Sequence, residues 1–246
     1  MLGQSTIYIA AVFALAGLVK GVIGLGLPTI SMGLLVFIMP PVEAAAILVA
    51  PSLLTNVWQM LAGGSLRSIA RRLWPMMAAI CIGTWLGSGL MSGGYACYGV
   101  VALGVALALY ALTGIVVLRL AVPRRSELAL GPLTGLVTGI ITAATGVFVI
   151  PAVPYLQAIG FEKDELVQAL GLSFTISTIA LGFSVGASGA LTLSLAVPVG
   201  VAVVLSIAGM GAGQALRSRL SPAKFRQWFF IALLLLGIYL ALAPLI

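Results

Sequence analysis

One pentapeptide occurs twice in this chain, and its surroundings repeat with it. Gly17-Leu18-Val19-Lys20-Gly21 returns as Gly135-Leu136-Val137-Thr138-Gly139. Each copy lies in an apolar stretch that small residues then interrupt: Gly24-Leu25-Gly26-Leu27-Pro28 after the first, Thr142-Ala143-Ala144-Thr145-Gly146 with Pro151 after the second. Composition leaves one solvent for such segments. With 62% of residues hydrophobic, 7% charged and a mean hydropathy of +1.25, the chain lacks the polar surface of a soluble domain. Its apolar runs approach the ~20 residues that cross a bilayer as helix. Irregular backbone in lipid must be buried among helices or line a cavity, because its N–H and C=O groups find no water there. The expected fold is an all-α integral membrane protein.

Six segments read as plain transmembrane helices: Ala44–Ala62, Leu73–Met91, Tyr95–Leu118, Leu166–Ala187, Thr192–Leu216 and Trp228–Ile246. Ser5–Met39 and Gly131–Ile159 are different, being long for one span, short for two, and broken in the middle. A pair of short helices entering and returning fits each of them. This gives two repeats of five helical segments, with broken or re-entrant first segments. With the amino terminus outside, Arg67/Arg71/Arg72, Arg119/Arg124/Arg125, Lys163 and Arg217/Arg219/Lys224/Arg226 then all face the cytoplasm, as the positive-inside rule requires. Of the 12 basic residues only Lys20 is left over. The uncharged loop Ser92-Gly93-Gly94 and its counterpart Ser188-Gly189-Ala190 hold shifted places relative to the basic loops of their halves, so the second repeat is expected upside down. The domains are residues 1–120, a basic cytoplasmic linker at 121–130, and the inverted repeat 131–246. The amino terminus lacks the pattern of a removable signal peptide, and both termini are expected in the periplasm.

Broken segments paired in this way point to the binding site of a secondary transporter. Lys20 lies deep in the first segment, where a lysine costs ~2.5–3.5 kcal/mol and should face a cavity or a partner; a snorkelling lysine is the competing reading. Each returning half-helix would begin near its turn, around Gly26-Leu27-Pro28 beyond Gly24, with Pro28 suited to the first helical position, and around Thr145-Gly146, and a helix amino terminus attracts anions. Thr138 and Thr142 could add hydroxyls. Asn56 and Gln59 share a helical face, and Ser173 and Ser177 lie on the matching helix, although such hydroxyls often bond only their own backbone. The acids Glu43, Glu162, Asp164 and Glu165 stand at helix starts, where they complement the dipole. Histidine is absent, and no acids cluster within spans. No enzyme, metal site or cofactor is expected, and the +7 charge orients the protein without implying nucleic acid.

Gly21-Val22-Ile23-Gly24-Leu25-Gly26 with Pro28, then Pro40-Pro41, Ala44-Ala45-Ala46 and Pro51-Ser52-Leu53-Leu54, resemble the TauE/SafE sulfite exporter family. The second half is similar too, at Pro151, Gly160, Ala169 and Gly171-Leu172-Ser173-Phe174. Both breaks carry fewer glycines than is usual in that family. The resemblance implies a bacterial inner-membrane permease for small sulfur-containing anions such as sulfite or short organosulfonates. The residues themselves imply a small anion held at the midplane by Lys20 and the half-helix amino termini. Its partners would be the lipid bilayer, the anion and a coupling ion (proton or sodium), with a homo-oligomer left open. The alternatives are a carrier of another small anion, such as a carboxylate, and a redox carrier or accessory subunit using Cys81 and Cys97.

Overall fold

The computed structural model describes residues 2–91, 96–116 and 121–243. The loop Ser92-Gly93-Gly94, Arg119 and the Cys97 side chain lie outside the described residues. Helices α1 (Leu2–Ile23), α2 (Leu27–Leu35), α3 (Pro41–Leu61), α4 (Leu66–Leu86) and α5 (Ala96–Ile115) are followed by α6 (Arg124–Thr145), α7 (Ala152–Ala158), α8 (Lys163–Ala187), α9 (Ala196–Leu216) and α10 (Pro222–Leu242). Among the described residues, 7 helices are long and apolar enough to cross a membrane. Helix α4 has the length, at 21 residues, but opens on Arg67, Arg71 and Arg72. With 9 and 7 residues, α2 and α7 are too short to span.

Glycine conformation separates the long helix from the short one in the first region. Gly24 and Gly26 take φ of +80° and +111°, left-handed values that only glycine adopts without strain. Gly26 is the N-cap of α2. The second region is built differently. Gly146, at φ +71°, closes α6 as its C-cap, and α7 begins only at Ala152. The buried residues Val147, Phe148 and Val149 fill the interval. The expectation that the second half-helix starts at Thr145-Gly146 is therefore corrected. Pro28 also shifts by one place, to the second position of α2, where its missing N–H still costs no hydrogen bond.

Several helix starts fall earlier than the hydropathy reading placed them, although α9 starts four residues later, at Ala196. Helix α4 begins seven residues before Leu73 and α10 six before Trp228, while α6 runs back to Arg124 through most of the stretch assigned to a linker. The basic residues placed in loops thus mostly stand in the first two turns of helices. Hydropathy trims these turns because their arginines depress the average, whereas the backbone can go on hydrogen bonding as helix beyond the apolar layer.

Contacts gather the basic turns on one face. Arg72 on α4 makes a bidentate pair with Glu127 on α6, at 2.8 and 2.6 Å, and donates to the Ile159 carbonyl after α7. Gln168 on α8 donates to the Met60 and Gly63 carbonyls and accepts from the Ser65 N–H. Arg226 on α10 reaches the Gly114 carbonyl on α5. The opposite face holds the start of α1, where the Tyr8 hydroxyl donates to the Leu34 carbonyl, and the end of α10, where Tyr239 packs on Phe37.

Between the faces, helices of the first five pair with helices of the last five: α1 with α9, α4 with α6, α3 with α8 and α5 with α10. The repeated pentapeptide explains two of these crossings. A Cβ on Gly17 or Gly21 would collide with the backbone at Ser206 and Met210, and one on Gly135 or Gly139 with the backbone at Met76 and Ile80. Gly209 and Gly213 meet Ala14 and Leu18 in return, as Gly83 meets Leu136 and Gly87 meets Ala143. Both crossings are small-residue seams, on which helix backbones in lipid approach closely.

Candidate functional site

Lys20 lies in the last turn of α1 and is 4% exposed. Its ammonium donates to Thr55 Oγ1 at 3.0 Å and to Asn56 Oδ1, both on α3. Asn56 Nδ2 in turn donates to Thr178 Oγ1 on α8 at 3.1 Å. The Thr55 and Thr178 hydroxyls spend their own protons on the backbone, donating to Pro51 O at 2.8 Å and Phe174 O at 2.6 Å. That leaves each oxygen free to accept. One relay therefore joins α1, α3 and α8 around the lysine.

Electrostatics allow the charge here while leaving it uncompensated. The carboxyl end of α1 turns its negative dipole end toward Lys20. Every hydrogen-bond partner of the ammonium is neutral, and the one ion pair among the described residues, Arg72–Glu127, lies at the basic face. An ammonium has three hydrogens to donate. Two are engaged, and the third has no acceptor among the described residues.

Other buried polar atoms are also unpaired. The hydroxyls of Ser31, Ser52, Thr138, Ser173 and Ser177 and the Gln59 Oε1 lack partners among the described residues, and each such atom costs ~1–3 kcal/mol if left dry. They lie on α2, α3, α6 and α8. Gln59 Nε2 donates to the Val167 carbonyl on α8, in the same α3–α8 seam as the relay.

The residues expected from sequence divide accordingly. Lys20, Asn56 and Gln59 share the neighbourhood where α3 meets α1 and α8, and Ser173 and Ser177 are fully buried on α8. Thr142 and Thr145 bond their own helix at the Thr138 and Ile141 carbonyls. Thr145 also accepts from the Val147 N–H. No hydrogen bond joins Thr138, Thr142 or Thr145 to Lys20 among the described residues. Gly24 and Gly26 shape the first break, with Pro28 just beyond, and Gly146 abuts the Met32 side chain of α2. Cys81 is exposed on the outer surface of α4, away from these groups.

Sequence reasoning missed Thr55, Glu127 and Gln168. A threonine beside Asn56 carries no signal of its own, and its role shows only once α1 lies against α3. Gln168 stands three residues after Glu165, in the charged opening of α8, where an amide needs no special reason.

Comparison with known proteins identifies the family of the chain. The family described as sulfite exporter TauE/SafE matches residues 9–240. No curated protein matches the chain, and no solved structure does. The match spans both breaks, the Lys20 relay and all ten helices, and the chain belongs to the TauE/SafE sulfite exporter family.

Proposed function

We propose that this protein is a secondary transporter carrying sulfite or short organosulfonates across the bacterial inner membrane. The anion binds at Lys20. The third hydrogen of its ammonium, with no acceptor among the described residues, is the observation that carries the reading. Sulfite and sulfonate oxygens are strong acceptors for a charge-assisted hydrogen bond, and an anion there would neutralise a buried cation that the protein leaves unpaired. The amino terminus of α2, opening at Gly26 without a side-chain cap, adds positive potential from the other side of the first break. Helix α7 is too short to do the same in the second half.

Transport by alternating access is supported by the pairing of helices. Exchanging the two sets of five turns α1–α9 into α6–α4 and maps α3–α8 and α5–α10 onto themselves, as a two-fold relation between inverted repeats requires. Lys20 and Thr138 hold equivalent places in the pentapeptides. One half then offers a cation and the other a neutral hydroxyl, so the site is chemically one-sided.

Uptake of radiolabelled sulfite into proteoliposomes, with proton and sodium gradients imposed separately, tests the proposal. Sulfoacetate and isethionate should compete, whereas sugars, amino acids and organic cations should not. Taurine should compete most weakly of the sulfonates, because Lys20 repels its ammonium. Saturable flux of a neutral sugar or a cation, indifferent to every sulfonate, would overturn the assignment.

A further inference from the structure

A second group of cations surrounds a cavity of about 300 Å³ at the basic face. Lys163, Arg217 and Arg226 line it, together with the Tyr110 side chain, and no carboxylate belongs to its wall. Arg226 is held over it by the Gly114 carbonyl at 3.3 Å and by the face of Phe230 at 5.7 Å. The Tyr110 ring packs edge-on against Phe230. Its hydroxyl is buried and has no hydrogen-bond partner among the described residues, and a buried O–H without an acceptor calls for a partner such as a water or a bound anion. Helices α8 and α10 both begin at this cavity, so their positive dipole ends reinforce the three side chains.

We infer that this cavity is a second oxyanion site, distinct from Lys20, where an anion rests between the basic-face solution and the relay. Its wall includes Val22 and Ile23, two and three residues beyond Lys20, and Val167, whose carbonyl accepts from Gln59. The cavity therefore shares a wall with the relay. Its volume is at the small end of ligand pockets, which suits sulfite, a short sulfonate or phosphate. Lys163, Arg217 and Arg226 supply charge at its rim, and Tyr110 donates from the inner wall. An anionic lipid headgroup would satisfy the same chemistry. The small volume and the buried hydroxyl favour a free anion.

The inference rests on the reading of the chain as an anion transporter, and binding to purified protein separates the two. Radiolabelled sulfite and inorganic phosphate serve as probes in detergent. Lys20→Gln should abolish the tighter class of sulfite sites and leave a weaker class. Tyr110→Phe, and Lys163→Gln combined with Arg217→Gln, should each weaken that second class at least fivefold. In proteoliposomes they should raise KM for sulfite offered at the basic face while KM from the opposite face stays put. Arg125→Gln and Arg219→Gln remove exposed charges that do not line the cavity and should match wild type in both assays. Wild-type binding in the Tyr110 and Lys163/Arg217 variants would overturn the inference, even with transport intact. Loss of binding in these variants with no flux of any anion would instead overturn the transport reading and keep the site. Displacement by phosphatidylglycerol vesicles but by neither sulfite nor phosphate would overturn the assignment to a free anion.

Discussion

At Lys20 a single positive charge meets only neutral oxygens, and this imbalance governs what substitutions there should do. Lys20→Gln removes a costly buried charge and leaves an amide able to meet Thr55 and Asn56. Expression and detergent stability should stay near wild type while KM for sulfite rises at least tenfold, the size of a lost charge-assisted hydrogen bond at ~1.5–3 kcal/mol. Unchanged kinetics would place the anion elsewhere. Asn56→Asp tests the same imbalance from the other side. A carboxylate here would stay within hydrogen-bonding reach of the ammonium and supply the counter-charge that the anion would otherwise bring. At an effective dielectric of ~20, opposite charges ~4 Å apart attract by ~4 kcal/mol. Thermal stability should rise or hold, and sulfite transport should fall at least a hundredfold. Transport at the wild-type rate in this variant would show that Lys20 needs no free valence. The lysine and Asn56 were legible in sequence because buried charge and amide are costly enough to need a reason. Thr55 was not, since a helical threonine gains a backbone partner anywhere, as it does here at Pro51.

Helices show where sequence reading succeeds and where it trims too much. The small-residue spacing at Gly83 and Gly87 and at Gly209 and Gly213 reads as close helix packing but does not tell which helix each faces, and the pentapeptide glycines gave no such reading. The structure sets Gly135 and Gly139 on α6 against α4, so that the repeated pentapeptide of one half packs on the glycines of the other. Hydropathy lost the basic first turns of α4, α6 and α10 because it averages over residues that face water. It also misjudged α7, whose start is fixed by the packing of Val147–Val149 and not by the glycine before them. Gly139→Leu should therefore be severe, since the Cβ alone would strike the backbone of Ile80. Overpacking costs ~1–3 kcal/mol even where side chains can shift, and here the obstacle is backbone. The detergent-solubilised protein should lose several degrees of Tm or fail to elute as a single species. Gly211→Leu on α9, where nothing lies within 4 Å, should match wild type. Equal tolerance of the two would mean that α6 does not cross α4 at this seam.

For the whole molecule, one fact orders everything else: among the described residues, the basic side chains other than Lys20 gather at one end of the bundle. The sequence pattern implied this through the charge of alternate loops, and the contacts of Arg72, Gln168 and Arg226 bring those ends together physically. Which end meets the cytoplasm follows from the positive-inside rule, because lysine and arginine beside a span resist translocation. The basic face should then be cytoplasmic, and the start of α1 and the end of α10, which lie with Leu34 and Phe37 on the other face, should be periplasmic. Single cysteines introduced into a background lacking Cys81 and Cys97 can report this through a charged, membrane-impermeant thiol reagent applied to intact cells. Ser188, exposed in the turn after α8, should label from outside. Ser68 and Ser221, exposed at the starts of α4 and α10, should label only after the membrane is opened. The spacing makes the test discriminating: Ser188 and Ser221 are separated by α9 alone, a single crossing, so they must fall on opposite sides. Labelling of both from outside would remove α9 as a span and, with it, the two-fold exchange of helices on which alternating access depends.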